Sequence, residues 1–187
     1  MKVEPTSLPE VLRITPVVRA DERGAFHEVW QLERYAEAGL PTAWVQDNVS
    51  VSQRDVLRGL HFQQPHAQGK LVSVIRGEIL DVAVDIRIGS PTFGCSAAEV
   101  LSASSARQLW VPAGFAHGFL VLSGEAVVHY KCTEYYRSDS EYTLAWNDPA
   151  LGIDWPVANP VLSARDAVGL RLGDFASGDL PTYRSRS

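Results

Sequence analysis

Apolar and polar positions along this chain alternate mainly with a period of two. In EILDVAVDIRI (78–88), Leu80, Val82, Val84 and Ile86 point one way, and Asp81, Asp85 and Arg87 the other. That alternation predicts a half-buried strand. Residues 11–18, 25–30, 44–52, 56–63, 71–75, 98–101, 108–111, 119–122 and 126–133 read as further short strands. Pro16 marks an edge or break in the first of these. In 25–30, Phe26, Glu28 and Trp30 share one face. Asp21–Gly24, Gly89–Pro91 and Pro112–Gly114 are turn signals. Arg76-Gly77 and Ser123-Gly124-Glu125 each predict a hairpin between their flanking strands. Only 31–38 reads as a helix, with Leu32, Tyr35 and Ala36 as its apolar stripe and Gly39 ending it. Residues 149–160 read as loop, and from about 180 onward the chain reads as a frayed polar tail. Many short strands with little helix predict an all-β sandwich or barrel.

The composition fits one domain spanning 1–187, with 45% hydrophobic and 21% charged residues in a chain of 187. A net charge of −5 argues against nucleic acid as a partner. It leaves a small anionic ligand open, because a pocket can be cationic on an acidic protein. The two cysteines, Cys95 and Cys132, have no metal-ligand spacing, so buried reduced thiols are expected. The N-terminus has no apolar signal core, and no apolar run is long enough to span a bilayer. Those absences give the expectation of a cytoplasmic protein with no membrane partner.

Candidate chemistry centres on VLRGLHFQQPHAQGK (56–70), where Arg58 and Lys70 are fixed cations and His61 can accept a proton near neutral pH. A lone mid-strand histidine is usually a satisfied core or surface group, but these cations shift the balance toward a proton-abstraction site. Strict alternation puts Arg58 on the face opposite His61, unless a bulge at Gly59 brings both to one cavity. His117, in P-x-G-x-x-H, fits a barrel mouth or a capped loop about equally. Tyr130 shares a face with Val128 and Cys132, so spacing favours a core tyrosine over a pocket acid. Asp166 could cap a helix, sit solvated or orient a histidine. A metal is disfavoured, because Gln63 replaces the second histidine of the H-x-H pair that metal-binding cupins use. No glycine-rich phosphate loop is present, so side chains would have to hold any phosphate.

The segments DERGAFHE (21–28), QDNVSVS (46–52), VLRGLHFQ (56–63), GKLV (69–72), GEILDVAVDIRIGSPTFG (77–94), VPAGFAHGFLVLS (111–123), YKCTEYY (130–136), WNDP (146–149) and LSARD (162–166) occur in this order. Together they resemble the dTDP-4-dehydrorhamnose 3,5-epimerases, cofactor-free nucleotide-sugar epimerases with a cupin-type double-stranded β-helix, or jelly roll. The resemblance implies His61 as general base, Asp166 as its orienting carboxylate, Tyr130 as proton donor and Lys70 beside the enolate. It implies substrate-binding positions at Arg23, Phe26, Glu28, Gln46, Asp47, Asn48, Arg58, His117, Glu141 and Arg165, with Tyr136 stacking on thymine. The position of Arg165 is often lysine in the family. The resemblance further implies a dTDP-linked 4-keto-6-deoxy sugar as substrate, no cofactor and no metal. It also implies a homodimer in which the N-terminal strands are exchanged and the Arg23–Glu28 segment reaches the partner's site. Three other readings stay open: a monofunctional 3- or 5-epimerase, a metal-dependent cupin oxygenase using His61, His66 and His117, and a silent sugar-nucleotide binding module.

Overall fold

Over most of the chain, strands that follow one another in sequence go to different sheets. The computed structural model describes residues 1–184. Its elements are β1 (Lys2–Pro5), β2 (Leu12–Thr15), β3 (Arg19–Asp21), β4 (Gly24–Phe26), helix α1 (Leu32–Glu37), β5 (Gln46–Gln53), β6 (Leu57–Gln63), β7 (Lys70–Arg76), β8 (Glu78–Asp85), β9 (Ser96–Ser102), β10 (Gln108–Val111), β11 (Phe115–Val121), β12 (Glu125–Cys132) and β13 (Glu141–Thr143). One sheet has the order β1-β2-β10-β7-β12-β5, the other β13-β6-β11-β8-β9. From β5 to β8 and from β10 to β13 the chain alternates between them. This is the cupin-type jelly roll, nearly all β.

The alternation corrects two expectations. Arg76-Gly77 and Ser123-Gly124-Glu125 are not hairpins, because β7 and β8, like β11 and β12, lie in different sheets. Each glycine-marked turn carries the chain across the sandwich, and the two crossings pack together. Gly77 has φ +82°, and a Cβ there would lie 2.1 Å from the Glu125 carbonyl oxygen. The Glu78 amide donates to Ser123 Oγ (2.9 Å), and Ser123 Oγ donates to the Glu125 carbonyl (2.6 Å). Local turn chemistry is the same for a hairpin and a crossing. Only pairing partners distinguish them.

Three apolar layers result. Val72, Ile79, Leu109, Phe115, Phe119 and Val128 fill the space between the sheets. Leu57, Leu60, Val82, Val84 and Leu120 form the outer face of the five-stranded sheet, covered by Leu144, Leu151, Leu172 and Leu180. Ile14, Leu71 and Trp110 form the outer face of the other sheet, beneath Tyr35 and Leu40. β8 is therefore buried on both faces rather than half-buried. Its polar face holds Asp85 among Arg87, Ser90 and Thr92, with the Arg87 guanidinium also reaching Glu10. Burial pushes the Asp85 carboxyl up, but these donors outweigh it and leave it below the usual range.

Further differences are local. β1 lies outside the expected strands; it pairs with β2, and β2 pairs with β10 of the same chain. The strand expected over 25–30 ends at Phe26, and β3 and β4 form a small separate hairpin. In α1, capped by Gln31 and followed by Gly39 at φ +75°, only Tyr35 of the predicted stripe is buried; Leu32 and Ala36 are exposed. Cys95 is exposed, whereas Cys132 is buried. The predicted fraying from about 180 does not occur through Arg184. Leu180 is buried, and the Tyr183 amide donates to the Ile88 carbonyl (2.9 Å). Residues 185–187, also part of that predicted tail, lie outside the described residues.

The feature that most affects the site is in β6. Against β11, His61 pairs with His117 and Arg58 with Phe119, so β6 carries one extra residue. Gly59 takes it up at φ +121°, with its backbone against Gly118. A Cβ on Gly59 would lie 2.6 Å from Gly118 Cα, and one on Gly118 would lie 2.6 Å from the Arg58 carbonyl oxygen. Leu57, Leu60 and Phe62 then face the outer layer, which leaves Arg58 and His61 facing the gap between the sheets.

Gly118→Ala should force β6 and β11 apart and cost about 1–3 kcal/mol in urea unfolding. Gly59→Ala adds a strained positive φ and should cost more. A wild-type unfolding midpoint for Gly118→Ala would contradict the contact.

Candidate active site

A cavity of about 350 Å³ opens between the sheets. β6 contributes Arg58 and His61, β11 His117 and β13 Glu141 from the five-stranded sheet. β5 contributes Gln46 and Asn48, β7 Lys70 and β12 Tyr130 from the six-stranded sheet. Tyr136 and the C-terminal segment, through Arg165 and Asp166, complete the wall. His61 and Tyr130 thus enter one cavity from opposite sheets.

His61 Nε2 lies 2.5 Å from Asp166 Oδ1. Asp166 is the first residue of a short 3₁₀ turn, buried, with its own amide donating to Ser163 Oγ (3.1 Å). Burial pushes its carboxyl up, but hydrogen bonds from His61, Ser163 and the Gly59 backbone hold it below the usual carboxylate range. It therefore stays an anion against the imidazole, whose Nε2–H donates to it. His117 is paired similarly, with Nε2 2.7 Å from Asp81 Oδ1. Asp81 is fully buried, and its Oδ2 has no hydrogen-bond partner among the described residues.

The cations are held differently. Arg58 Nε donates to Ser52 Oγ (2.9 Å). Lys70 forms no ion pair among the described residues, and its enclosure pushes the ammonium below its usual value, with Cys132, Glu141 and Asp81 pulling the other way. An unpaired, enclosed cation is suited to receive negative charge that develops on a bound molecule. Burial pushes the Tyr130 phenol up, only partly offset by Arg58. The phenol is therefore protonated at neutral pH and able to donate. Glu141 joins the mouth: the Tyr136 hydroxyl donates to its Oε2 (2.8 Å), and Arg165 Nη1 contacts the same oxygen. The Tyr136 amide in turn donates to Gln46 Oε1 (2.8 Å).

Four predicted positions lie elsewhere. Asp47 alternates to the outer face of β5, where it accepts from Lys131 Nζ at 2.9 Å. Arg23 pairs with Asp21, and Glu28 with Arg34, on the exposed surface beside the β3–β4 hairpin. Phe26 is 67% exposed. None of the four lines this cavity. Sequence reasoning missed Ser50, Gln68, Gly118, Phe119, Cys132 and Ser163, which do line it. Ser50 follows Asn48 by two, and Cys132 follows Tyr130 by two, so alternation carried a signal for both. His66 sits exposed on the loop after β6 and does not line the cavity. Among the described residues no helix is long and apolar enough to cross a membrane.

Residues 5–174 match the model of the dTDP-4-dehydrorhamnose 3,5-epimerase family. The dTDP-4-dehydrorhamnose 3,5-epimerase of Pseudomonas aeruginosa is 49% identical over 176 residues, covering 93% of this chain and 97% of the relative. The dTDP-4-dehydrorhamnose 3-epimerase of Streptomyces niveus is 42% identical over 186 residues, covering 98% and 90%. Among solved structures, the dTDP-6-deoxy-D-glucose-3,5-epimerase of Legionella pneumophila, in complex with dTDP-4-keto-L-rhamnose, superposes with a TM-score of 0.95 at 49% identity, covering 98% of this chain and 99% of that one.

Because the carboxyl of folded Asp166 is held low, its ionisation contributes stability that is fully present above the unfolded value and lost as pH falls through the folded value. Asp166→Asn is expected to lower stability at pH 7 by about 1–3 kcal/mol. The difference should begin to narrow as pH falls below about 4 and close only below the lowered folded value. Urea unfolding at pH 7 and in acid checks this, and an Asn variant as stable as the parent at pH 7 would contradict it.

Proposed function

The chain belongs to the dTDP-4-dehydrorhamnose 3,5-epimerase family, and we propose that its cavity inverts C3 and C5 of a dTDP-linked 4-keto-6-deoxy sugar by paired deprotonation and reprotonation. It is a carbohydrate epimerase, an isomerase of the dTDP-rhamnose pathway. One observation carries the division of roles: a histidine held by an aspartate and a protonated tyrosine enter the same cavity from opposite sheets.

The chemistry follows from the substrate's ketone. The C4 carbonyl acidifies the hydrogens on C3 and C5, so each centre needs a base on one face, an acid on the other and a cation for the enolate oxygen. His61 takes the proton, and Asp166 stabilises the imidazolium. The C–H electron pair moves into the ring, and the charge on O4 is met by Lys70. Tyr130 delivers a proton to the opposite face, which inverts the centre. The tyrosinate and imidazolium then return to their starting states through solvent. Repetition at the other carbon gives the doubly inverted product. No electrons leave the substrate, so the reaction balances without a redox partner. Arg58 and Arg165 provide fixed charge for the diphosphate, and the exposed ring of Tyr136 offers a stacking face for the base.

A homodimer is part of the same reading. The β3–β4 hairpin pairs with neither main sheet, Val17 and Phe26 beside it are 60% and 67% exposed, and Arg23 and Glu28 lie outside their own chain's cavity. Those features support placement of Arg23, Phe26 and Glu28 in the partner's site.

His61→Ala should abolish solvent-deuterium uptake at both carbons, a loss of roughly 10²–10⁴-fold or more. Tyr130→Phe should retain exchange while inversion fails. Exchange that survives without His61, or full epimerisation without the phenol, would overturn these roles. A dimer that shares sites makes a further prediction. Equal amounts of His61→Ala and Arg23→Ala subunits, each nearly inactive alone, should recover up to about a quarter of wild-type activity after exchange. No recovery in a verified mixed dimer would contradict the shared site.

A further inference from the structure

His61 has carboxylates at both ends of its ring. Asp166 takes Nε2, so the nitrogen left with a free lone pair is Nδ1. Glu141 Oε1 lies 4.0 Å from Nδ1. The placement follows from register. Thr143 pairs with His61 and Glu141 with Gln63, so Glu141 is the diagonal neighbour of His61 across β13 and β6. Its other oxygen, Oε2, receives both the Tyr136 hydroxyl and Arg165 Nη1. Arg165 Nη2 also donates to the Glu141 carbonyl (3.0 Å), and Nε to Thr143 Oγ1 (3.2 Å). The carboxylate is thus fixed with Oε1 free and directed at the histidine. Among the described residues no hydrogen-bond donor occupies Oε1.

We propose that Nδ1 is the atom of His61 that removes the substrate proton, and that Glu141 is a positioning residue that stabilises the imidazolium formed there. The inference rests on His61 as the base. In the resting site Asp166, much the nearer carboxylate, holds the single ring proton on Nε2, and Nδ1 is an acceptor. After abstraction Nδ1 carries a proton and the ring a positive charge, and both ends then meet an anion. Glu141 favours the charged ring and does little for the neutral one. Its effect therefore falls on the step that creates the charge rather than on binding. The other charged or ionisable groups lining the cavity are Arg58 on β6, Lys70 on β7, His117 on β11, Tyr130 and the buried thiol of Cys132 on β12, and Arg165 above β13. None of them is an anion at neutral pH, and Asp166 and Glu141 are the two carboxylates within 4.0 Å of the ring.

Glu141→Gln keeps the shape and removes the charge. It should lower kcat by about tenfold or more, while KM changes by no more than about threefold. Glu141→Asp, which keeps the charge, should recover much of the lost kcat. A Gln variant that keeps full kcat and only raises KM would overturn the assignment and leave Glu141 as a binding residue. The unmodified protein gives an independent check that does not depend on either variant's folding. Long-range proton–nitrogen NMR at mildly alkaline pH should find His61 protonated on Nε2 and bare on Nδ1. The reverse tautomer would overturn the choice of nitrogen. Neither failure touches the wider reading, which is tested separately by deuterium uptake in His61→Ala.

Discussion

The site depends on the contact between Gly59 and Gly118. Two backbones meet there at a separation that leaves no room for a Cβ on either side. The contact lets β6 absorb one extra residue without leaving the sheet. In a regular strand without the bulge, period-two alternation would send Arg58 and His61 to opposite faces, one into the cavity and one into the outer apolar layer. A single bulge therefore gives the cavity both Arg58 and His61, three residues apart on one strand.

The alternation of strands between sheets does the complementary work. A hairpin keeps neighbouring sequence on one surface, whereas a crossing puts it on facing surfaces. The chain crosses between β6 and β7 and again at Ser123-Gly124, and so delivers Lys70 and Tyr130 to one wall and His61 and His117 to the other. Enclosure then sets the electrostatics. Among the described residues the cavity holds Lys70 without an ion pair and Tyr130 as a neutral acid, while its histidines are backed by the buried carboxylates of Asp81 and Asp166. Charge is thus concentrated where a substrate's own charge would compensate it.

Much of this was legible in the sequence, and the gaps have physical causes. Alternation located most strands, the glycine in β6 marked a bulge or close approach, and ordered motifs singled out His61, Tyr130 and Asp166, which the fold brings into one cavity. Pairing was not legible, so both crossings looked like hairpins. Burial was only partly legible. Asp81, Asp85 and Arg87 read as a solvated face of β8, yet all three are buried because ion pairs and hydroxyl donors take the place of water. The family resemblance places Asp47 in the site with its neighbours, although the same alternation that puts Gln46 and Asn48 inside turns it outward toward Lys131. The fraying expected from about 180 was inferred from polarity, but Leu180 and the Tyr183–Ile88 hydrogen bond tie that stretch to the core through Arg184.

The segment after β13 covers the outer face of the five-stranded sheet with Leu151, Leu172 and Leu180, and it also carries Arg165 and Asp166 into the cavity. Wrapping and arming are thus one event. A nascent chain can build both sheets and still hold a histidine with no anion behind it, because that anion is synthesised more than a hundred residues after the base. Movement of that segment away from the sheet would withdraw Asp166 from His61 while leaving the strand pairing of both sheets in place.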